Sequence, residues 1–443
     1  RRTTARCPRS DLLTYMITAF DLVISAFLVI FVRYTILTWM KVLIVNTSES
    51  TGGAAVAAHR LMDALRANGV EAEMLVRNRS TSDTLVHAPH RKWWLKWCFL
   101  WERLVIFFHL RFSRKGLFAI DIANVGTDIT ARPEFKAADV IHLHWINQGW
   151  LSLKSLQHIL QSGKRVVWTM HDLWPVSSIC HYAEECTGFH NACGHCPQLP
   201  HPSSKDLSHQ VWKQKEKVYR EGKITFVACS QWLATQAQMA SLSQGHRVVS
   251  IPNAIDTQVF RPMDRRAARE ALGLPTDPNL KIVLFVAQQI TNVRKGGPYL
   301  IEAFQKLLAA HPDYRHNTAL LILGGAAEQY ISSFDVPVFP VGYTEEVERI
   351  ADLQCCRPLC HPLGVGQFAQ HHHGSLGLRT PLRRFCSRRH SRNDRSSLQR
   401  LCGARTRHTR FGKWTALGAS VGCHNAATSS PRQGAPLLLS TEC

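Results

Sequence analysis

An α/β protein built from two Rossmann-like domains is the fold class this sequence predicts, and three observations carry it. A short apolar strand runs into a glycine turn and a helix across residues 41–68. Buried-strand patterns then recur, spaced by helical stretches. A second strand–helix–strand set follows a Pro- and Asn-punctuated connector, Ile251-Pro-Asn-Ala-Ile-Asp-Thr-Gln-Val-Phe-Arg-Pro262. Strands alternating with helices imply parallel sheets, because parallel neighbours need a crossover between them.

Taken in order, Lys41-Val-Leu-Ile-Val45 is a short buried strand and Thr51-Gly-Gly-Ala-Ala55 a small-residue turn. Val56–Asn68 has helical spacing and closes at Gly69. Ala72–Val76 completes a βαβ unit, and Val140–His144, Arg165–Met170 and Thr225–Cys229 continue the strands. This places a first domain at 40–250. In a second, at 251–353, Lys281–Ala287 and Ala319–Gly324 are strands flanking a helix at Tyr299–Ala310, with Val338–Val341 a short further piece.

At 443 residues, 45% hydrophobic and 19% charged, the chain fits a globular enzyme of two domains. A net charge of +21 would ordinarily point to nucleic acid, but that charge is concentrated. Residues 354–443 hold 14 Lys and Arg against 2 Asp and Glu, and 7 of the 14 cysteines. Residues 1–39 add a net +3, which leaves only +6 for 40–353. No nucleic-acid partner is therefore expected; a basic nucleic-acid binder stays as a rival on charge alone. The apolar run Leu12–Trp39 is interrupted by Asp21 and Arg33. Its uncharged stretch Leu22–Val32 falls short of the about 20 residues a bilayer crossing needs. Crossing with Asp21 included would cost roughly 3 kcal/mol. The segment 1–39 reads as a membrane anchor or, preferably, as upstream sequence before a start at Met40. Without paired cysteine spacing through the body, a reducing, cytoplasmic location is expected.

Five motifs carry chemistry. Gly52-Gly53 sits where the first strand hands over to its helix, so a ligand can approach backbone there and an anion is favoured. Trp168-Thr-Met-His-Asp-Leu-Trp-Pro175 puts His171 and Asp172 at the carboxyl end of a strand, the edge where open parallel sheets bind ligands. A purely structural histidine is the alternative there. His142 and His144, two apart on a strand, share one face and are expected to pack. Cys180, Cys186, Cys193 and Cys196 form a C-x5-C-x6-C-x2-C cluster, read either as a structural zinc site or as free thiols. Val293-Arg-Lys-Gly-Gly297 follows the first strand of the second domain; Arg294 and Lys295 suit a diphosphate, as fork and point charge. Gly324-Gly325 ends the next strand and would admit a nucleotide base or ribose.

These pieces, in this order, resemble the family 4 retaining glycosyltransferases, and within them the exopolysaccharide and colanic-acid-type enzymes. The carriers are Ser50-Thr-Gly-Gly-Ala-Ala-Val-Ala-Ala-His-Arg60, His171-Asp-Leu-Trp-Pro175 with the cysteine block, Ser230-Gln-Trp-Leu-Ala234, Ile251-Pro-Asn-Ala-Ile-Asp256 and Arg294-Lys-Gly296. The resemblance implies a GT-B fold, two Rossmann-like domains facing a cleft, with the acceptor on the first and a nucleotide-diphosphate sugar on the second. It implies His171 near the transferred sugar, Gly52 and Gly53 near the donor phosphates, and Arg294 and Lys295 neutralising the leaving diphosphate. No cofactor is required; the acceptor is a glycan or lipid-linked, with peripheral membrane association at the inner face of the plasma membrane. Gln288-Gln289 departs from the Gly-Arg common in relatives. A sugar-nucleotide 2-epimerase of the same fold is the other reading.

The resemblance stops after Leu353. Gln367-Phe-Ala-Gln-His-His-His-Gly374 can be encoded CAA TTT GCC CAA CAC CAT CAT GGA. One base later this reads Asn-Leu-Pro-Asn-Thr-Ile-Met, the donor-ribose motif the family carries here. The same shift turns Gln354–His361 into S-A-A-D-L-F-V-T, and two later stretches also yield family motifs. Residues 354–443 are therefore expected to be out-of-frame translation, a disordered tail that leaves the second domain incomplete and the activity impaired.

Overall fold

The computed structural model describes residues 40–261, 264–289, 296–325, 328–342, 359–361 and 382–384. The chain divides into two compact units that part between Asp256 and Thr257, inside the predicted connector.

In the first unit, β1 (Lys41–Ser48) is a near-continuous buried run, as a parallel strand covered on both faces must be. The helix α1 (Gly53–Ala67) starts earlier than periodicity implied, because the small residues after Gly52 let it close at once; Ala55, Ala57, Ala58 and Met62 form its buried stripe. It stops at Asn68, whose side-chain amide donates to the Ala64 carbonyl at 2.8 Å, before Gly69 at φ +82°. There follow β2 (Glu71–Asn78), β3 (Val86–His87), α2 (Lys92–His109), α3 (Pro133–Ala137), β4 (Val140–Leu143), α4 (Leu153–Gln161) and β5 (Arg165–Met170). Then come α5 (Leu207–Tyr219), β6 (Ile224–Ala228), α6 (Gln231–Met239) and β7 (Arg247–Ser250). Side chains close three helix starts: Ser152, Asp206 and Ser230 each accept from a first-turn amide.

The seven strands are all parallel, in the order β3-β2-β1-β4-β5-β6-β7. Alternate residues of β1 bury into opposite faces: Leu43 and Val45 join one cluster with Ile141, Trp168 and Phe226. Val42 and Ile44 join the other with Ala58, Met62 and Met74.

The second unit opens with α7 (Arg265–Ala271), capped by Asp264, and β8 (Lys281–Gln289). Next are α8 (Gly297–Ala310), α9 (Tyr314–Asn317), β9 (Thr318–Gly325) and β10 (Val338–Gly342). With β11 (Leu359–His361) and β12 (Leu382–Arg384) these make a second all-parallel sheet, ordered β10-β9-β8-β11-β12. Val283, Phe285 and Ile322 pack on one face, Ile282, Leu284 and Leu321 on the other. Two short pieces of the segment expected to be structureless from residue 354 onward, β11 and β12, stand in this sheet. The edge of β8 carries unpaired backbone groups, and Leu359 and Cys360 pair there with Leu284 and Phe285. The rest of that segment, and residues 1–39, lie outside the described residues.

Candidate functional site

In the first sheet the strand order reverses between β1 and β4, so the carboxyl ends of those strands and of β5 form the edge where a ligand sits. Three pieces meet at this edge. Past β1, Glu49 is almost fully buried and accepts from the Ser80 and Thr81 amides at 2.5 and 3.0 Å, which ties down the loop leading to Gly52. Burial favours its neutral form, but the donors from Thr81 and Ser80 outweigh that and hold its carboxyl below the usual range. Gly52 has φ +93° with open space where a Cβ would stand, so its backbone conformation is what demands glycine. Past β4 come His144 and Trp145. The Trp145 amide donates to Asn46 Oδ1 at 2.9 Å, and its carbonyl accepts from the Thr47 amide at 2.8 Å.

Past β5, His171 is half-buried and its Nε2 lies 3.0 Å from His144 Nδ1, with the two rings stacked at 5.2 Å between centroids. His142 stands 4.8 Å from the His144 ring and 2.8 Å from Thr169 Oγ1. Burial, opposed only in part by Asp172, pushes the His171 pKa down to about 4. Burial also lowers His142 to about 4 and His144 well below its ordinary value. All three rings are neutral near pH 7. His171 can therefore give or take a hydrogen bond with a hydroxyl, but it brings no positive charge. His144 is buried and packed between the two other rings, and its ring also holds His171.

Asp172 was expected beside His171 as the second catalytic residue, and it lies one residue further along. It is buried, with Oδ1 accepting from the Trp174 amide at 2.9 Å and Oδ2 from Trp145 Nε1 at 3.1 Å. His181 Nδ1 also lies 2.7 Å from Oδ2, and its Nε2 lies 2.6 Å from Asp121. Asp121 in turn pairs with Arg103, which also donates to the Leu117 carbonyl at 2.7 Å. Burial works against a charged His181, but Asp172 and Asp121 outweigh it and hold its pKa up to about 10. A chain of alternating charge thus runs Arg103, Asp121, His181, Asp172, ending beside His171. Nearby, the fully buried Lys215 donates to the Trp174 and Ser177 carbonyls at 2.6 and 3.0 Å, fixing the turn behind the motif.

The sequence profile of glycosyltransferase family 4 matches residues 51–259, the stretch that contains Gly52, His144 and His171. Over that stretch the chain is similar to glycosyltransferase family 4. The chain is 33% identical over 90 residues to an Escherichia coli (strain K12) protein, WcaC, named as a colanic acid biosynthesis glycosyl transferase. That alignment takes in 18% of this chain and 22% of the relative. A D-inositol 3-phosphate glycosyltransferase of Acidothermus cellulolyticus is 29% identical over 195 residues, 42% of this chain and 36% of its own length. The chain spans about a third or less of the length of the curated relatives it matches. A solved structure of Anabaena Alr3699/HepE with UDP-glucose aligns over 86% of this chain and 95% of that one at 14% identity. Its TM-score of 0.46 is too low to bear on fold or function.

Other expected site residues fall elsewhere. Arg294 and Lys295 lie outside the described residues. Gly324 has φ +145°, and a Cβ there would stand 1.7 Å from the Ala287 carbonyl oxygen. Close approach of β8 and β9 accounts for that glycine without any ligand. Cys180, Cys186, Cys193 and Cys196 all pack at one margin of the large core, unbridged. Burial raises Cys180 and Cys193 to about 12, and each is raised further by the other thiols of the group. Among the described residues, no group of three or more His, Cys, Asp or Glu is arranged to hold a metal ion. Sequence reasoning missed His144, Glu49 and His181. His144 alone left a signal: it too directly follows a strand neighbouring β5.

Proposed function

We propose that the protein transfers a sugar, with retention, from a nucleoside-diphosphate sugar to a glycan or lipid-linked acceptor in surface-polysaccharide synthesis. The observation that carries this is the carboxyl edge of the first sheet, where the Gly52 turn and the neutral His144–His171 pair meet at the reversal of strand order. The match of residues 51–259 to the family 4 profile supports it. In this reading His171 orients a sugar hydroxyl and His144 fixes which tautomer His171 presents. The opening of α1 offers backbone amides to phosphate. Arg294 and Lys295 stabilise charge that builds on the leaving diphosphate. No metal is needed for the transfer. Zinc at the four cysteines is proposed as structural only, and binding it would require the loop to draw thiols together that form no metal-holding group as they stand. The site of action proposed is the cytoplasmic face of a membrane.

The test supplies nucleoside-diphosphate sugars to the one-base-corrected protein, with and without a lipid-linked glycan acceptor. Acceptor-dependent product with the anomeric configuration retained is expected. Rearranged nucleotide sugar formed equally without acceptor would make the protein an epimerase instead.

A further inference from the structure

The helix α2 is apolar on both sides, which a surface helix of an ordinary domain is not. Its inner side is locked in place. Leu95, Cys98 and Ile106 are buried, and Glu102 accepts from the Ile122 and Ala123 amides at 3.0 and 2.7 Å. Arg103 donates to the Leu117 and Ile120 carbonyls at 2.7 and 3.3 Å. At Gly149 a Cβ would stand 2.6 Å from the Phe99 amide nitrogen, so the 147–150 backbone lies hard against the helix. The helix cannot roll its other side inward.

That other side is a stripe of large apolar residues in the open. Trp93 is 84% exposed and Leu100 60%, with Trp97, Leu104 and Phe108 following at helical spacing. Trp94, Trp97 and Trp101 stack in file, their centroids 5.1 and 5.6 Å apart. Just beyond the helix the chain turns through left-handed Arg111 and Phe112, at φ +52° and +63°. Phe112, 64% exposed, is thereby set edge-on to Phe107 and Phe108 rather than folded under. Contiguous exposed apolar surface of this kind marks an interaction site.

The charges around the stripe identify what it meets. Arg91, Lys92, Lys96, Arg111, Arg114 and Lys115 are all exposed, and the only acidic residue in 91–118 is the buried Glu102. Lys96 lies 5.6 Å over the Trp93 ring, with its stem along the aromatic surface and its ammonium at the rim. Tryptophan-rich apolar surface on a segment whose exposed charges are all basic matches the boundary of an anionic bilayer, where indoles sit at headgroup depth and cations meet phosphate. Among the described residues no helix is long and apolar enough to cross a membrane, so α2 lies in the interface rather than through it.

We propose that the outer face of α2, from Trp93 to Phe112, is a peripheral docking surface for anionic lipid bilayers. It deepens the functional reading above by supplying the surface from which a lipid-linked acceptor would be taken, yet its test uses no sugar transfer. The full chain is mixed with vesicles of phosphatidylcholine alone or with about 30% phosphatidylglycerol added to give a negative surface, and bound protein is separated by flotation. Strong binding to the anionic vesicles only is expected, falling several-fold in high salt, with a blue-shifted tryptophan emission. The triple variant Trp93→Glu, Trp97→Glu, Leu100→Glu should bind at least tenfold more weakly. A second variant, Lys92→Glu, Lys96→Glu, Lys115→Glu, leaves the aromatic stripe intact and should lose the preference for anionic lipid. Both carry changes only at exposed positions, and unaltered melting temperatures would show that they fold. Full binding by the triple variant would overturn the proposal, as would equal binding to neutral vesicles. So would binding abolished by deleting residues 1–39 but kept by the triple variant. If the chain fails to bind and instead self-associates through a contact that the triple variant abolishes, the occupant is a second copy and the proposal is wrong.

Discussion

His171 and His144 share one hydrogen bond between two uncharged rings, and that sets what each can do. In the one-base-corrected protein, His171→Ala should lower turnover by about 100-fold, the usual cost of one positioned polar group. Thermal stability should barely change, since the ring is only half-buried. Near-normal turnover would return His171 to a structural role. His181 is a different kind of histidine. Its pKa is about 10 in the fold, held there by Asp172 and Asp121, against an ordinary value of 6.5. A raised folded value means the protonated form stabilises the fold fully below about pH 6.5, and that contribution is lost as pH rises through about 10. The melting temperature should therefore fall steadily from neutral to alkaline pH. His181→Gln should be less stable at pH 6.5 and show a flatter profile above it. A variant whose alkaline slope matches that of the parent would show that His181 carries no such charge.

At the scale of elements, strands were the most legible feature and surfaces the least. A parallel strand buried on both faces leaves an uninterrupted apolar run, as in Lys41-Val-Leu-Ile-Val45, and the structure extends it to Ser48. Glycine and asparagine marked the end of α1 for the same local reason. Nothing comparable marked α2: with apolar residues all round, no period separates the face that packs from the face that does not. The pairing of His144 with His171 was hidden in another way. Alternation tells which face of a strand a residue takes, but the partner across β4 and β5 depends on register. The cysteine loop is the element whose chemistry is least decided by its spacing. Left-handed Cys193 and His195 around Gly194 fold it tightly, and burial holds the Cys180 and Cys193 thiols protonated. A bound zinc would displace those protons. Metal analysis of purified protein should then find about one equivalent of zinc, and chelation should lower the melting temperature of the first unit. Metal-free protein with the same melting temperature would leave four ordinary buried thiols.

For the whole molecule, the question is whether the second unit can hold a donor. Its sheet has the strand order of a Rossmann-like core, yet the motifs expected after Leu353 are legible only one base out of register. Expressing the printed chain beside a version corrected by one base near codon 353 tests this directly. The corrected protein should gain about 2.7 kcal/mol from a nucleoside diphosphate at 100 times its Kd, seen as a raised melting temperature. The printed chain should gain almost nothing and transfer no sugar. An equal response from both would mean that the printed residues complete the unit. The buried charge chain of the first unit has a geometric consequence that reaches further. Arg103 stands on the inner side of α2, and Asp172 adjoins His171. With the outer side of that helix resting on a bilayer, the chain becomes a rigid strut between lipid and chemistry. The histidine would ride at a constant height above the headgroups, so that an acceptor qualifies by how far its own head extends from the membrane.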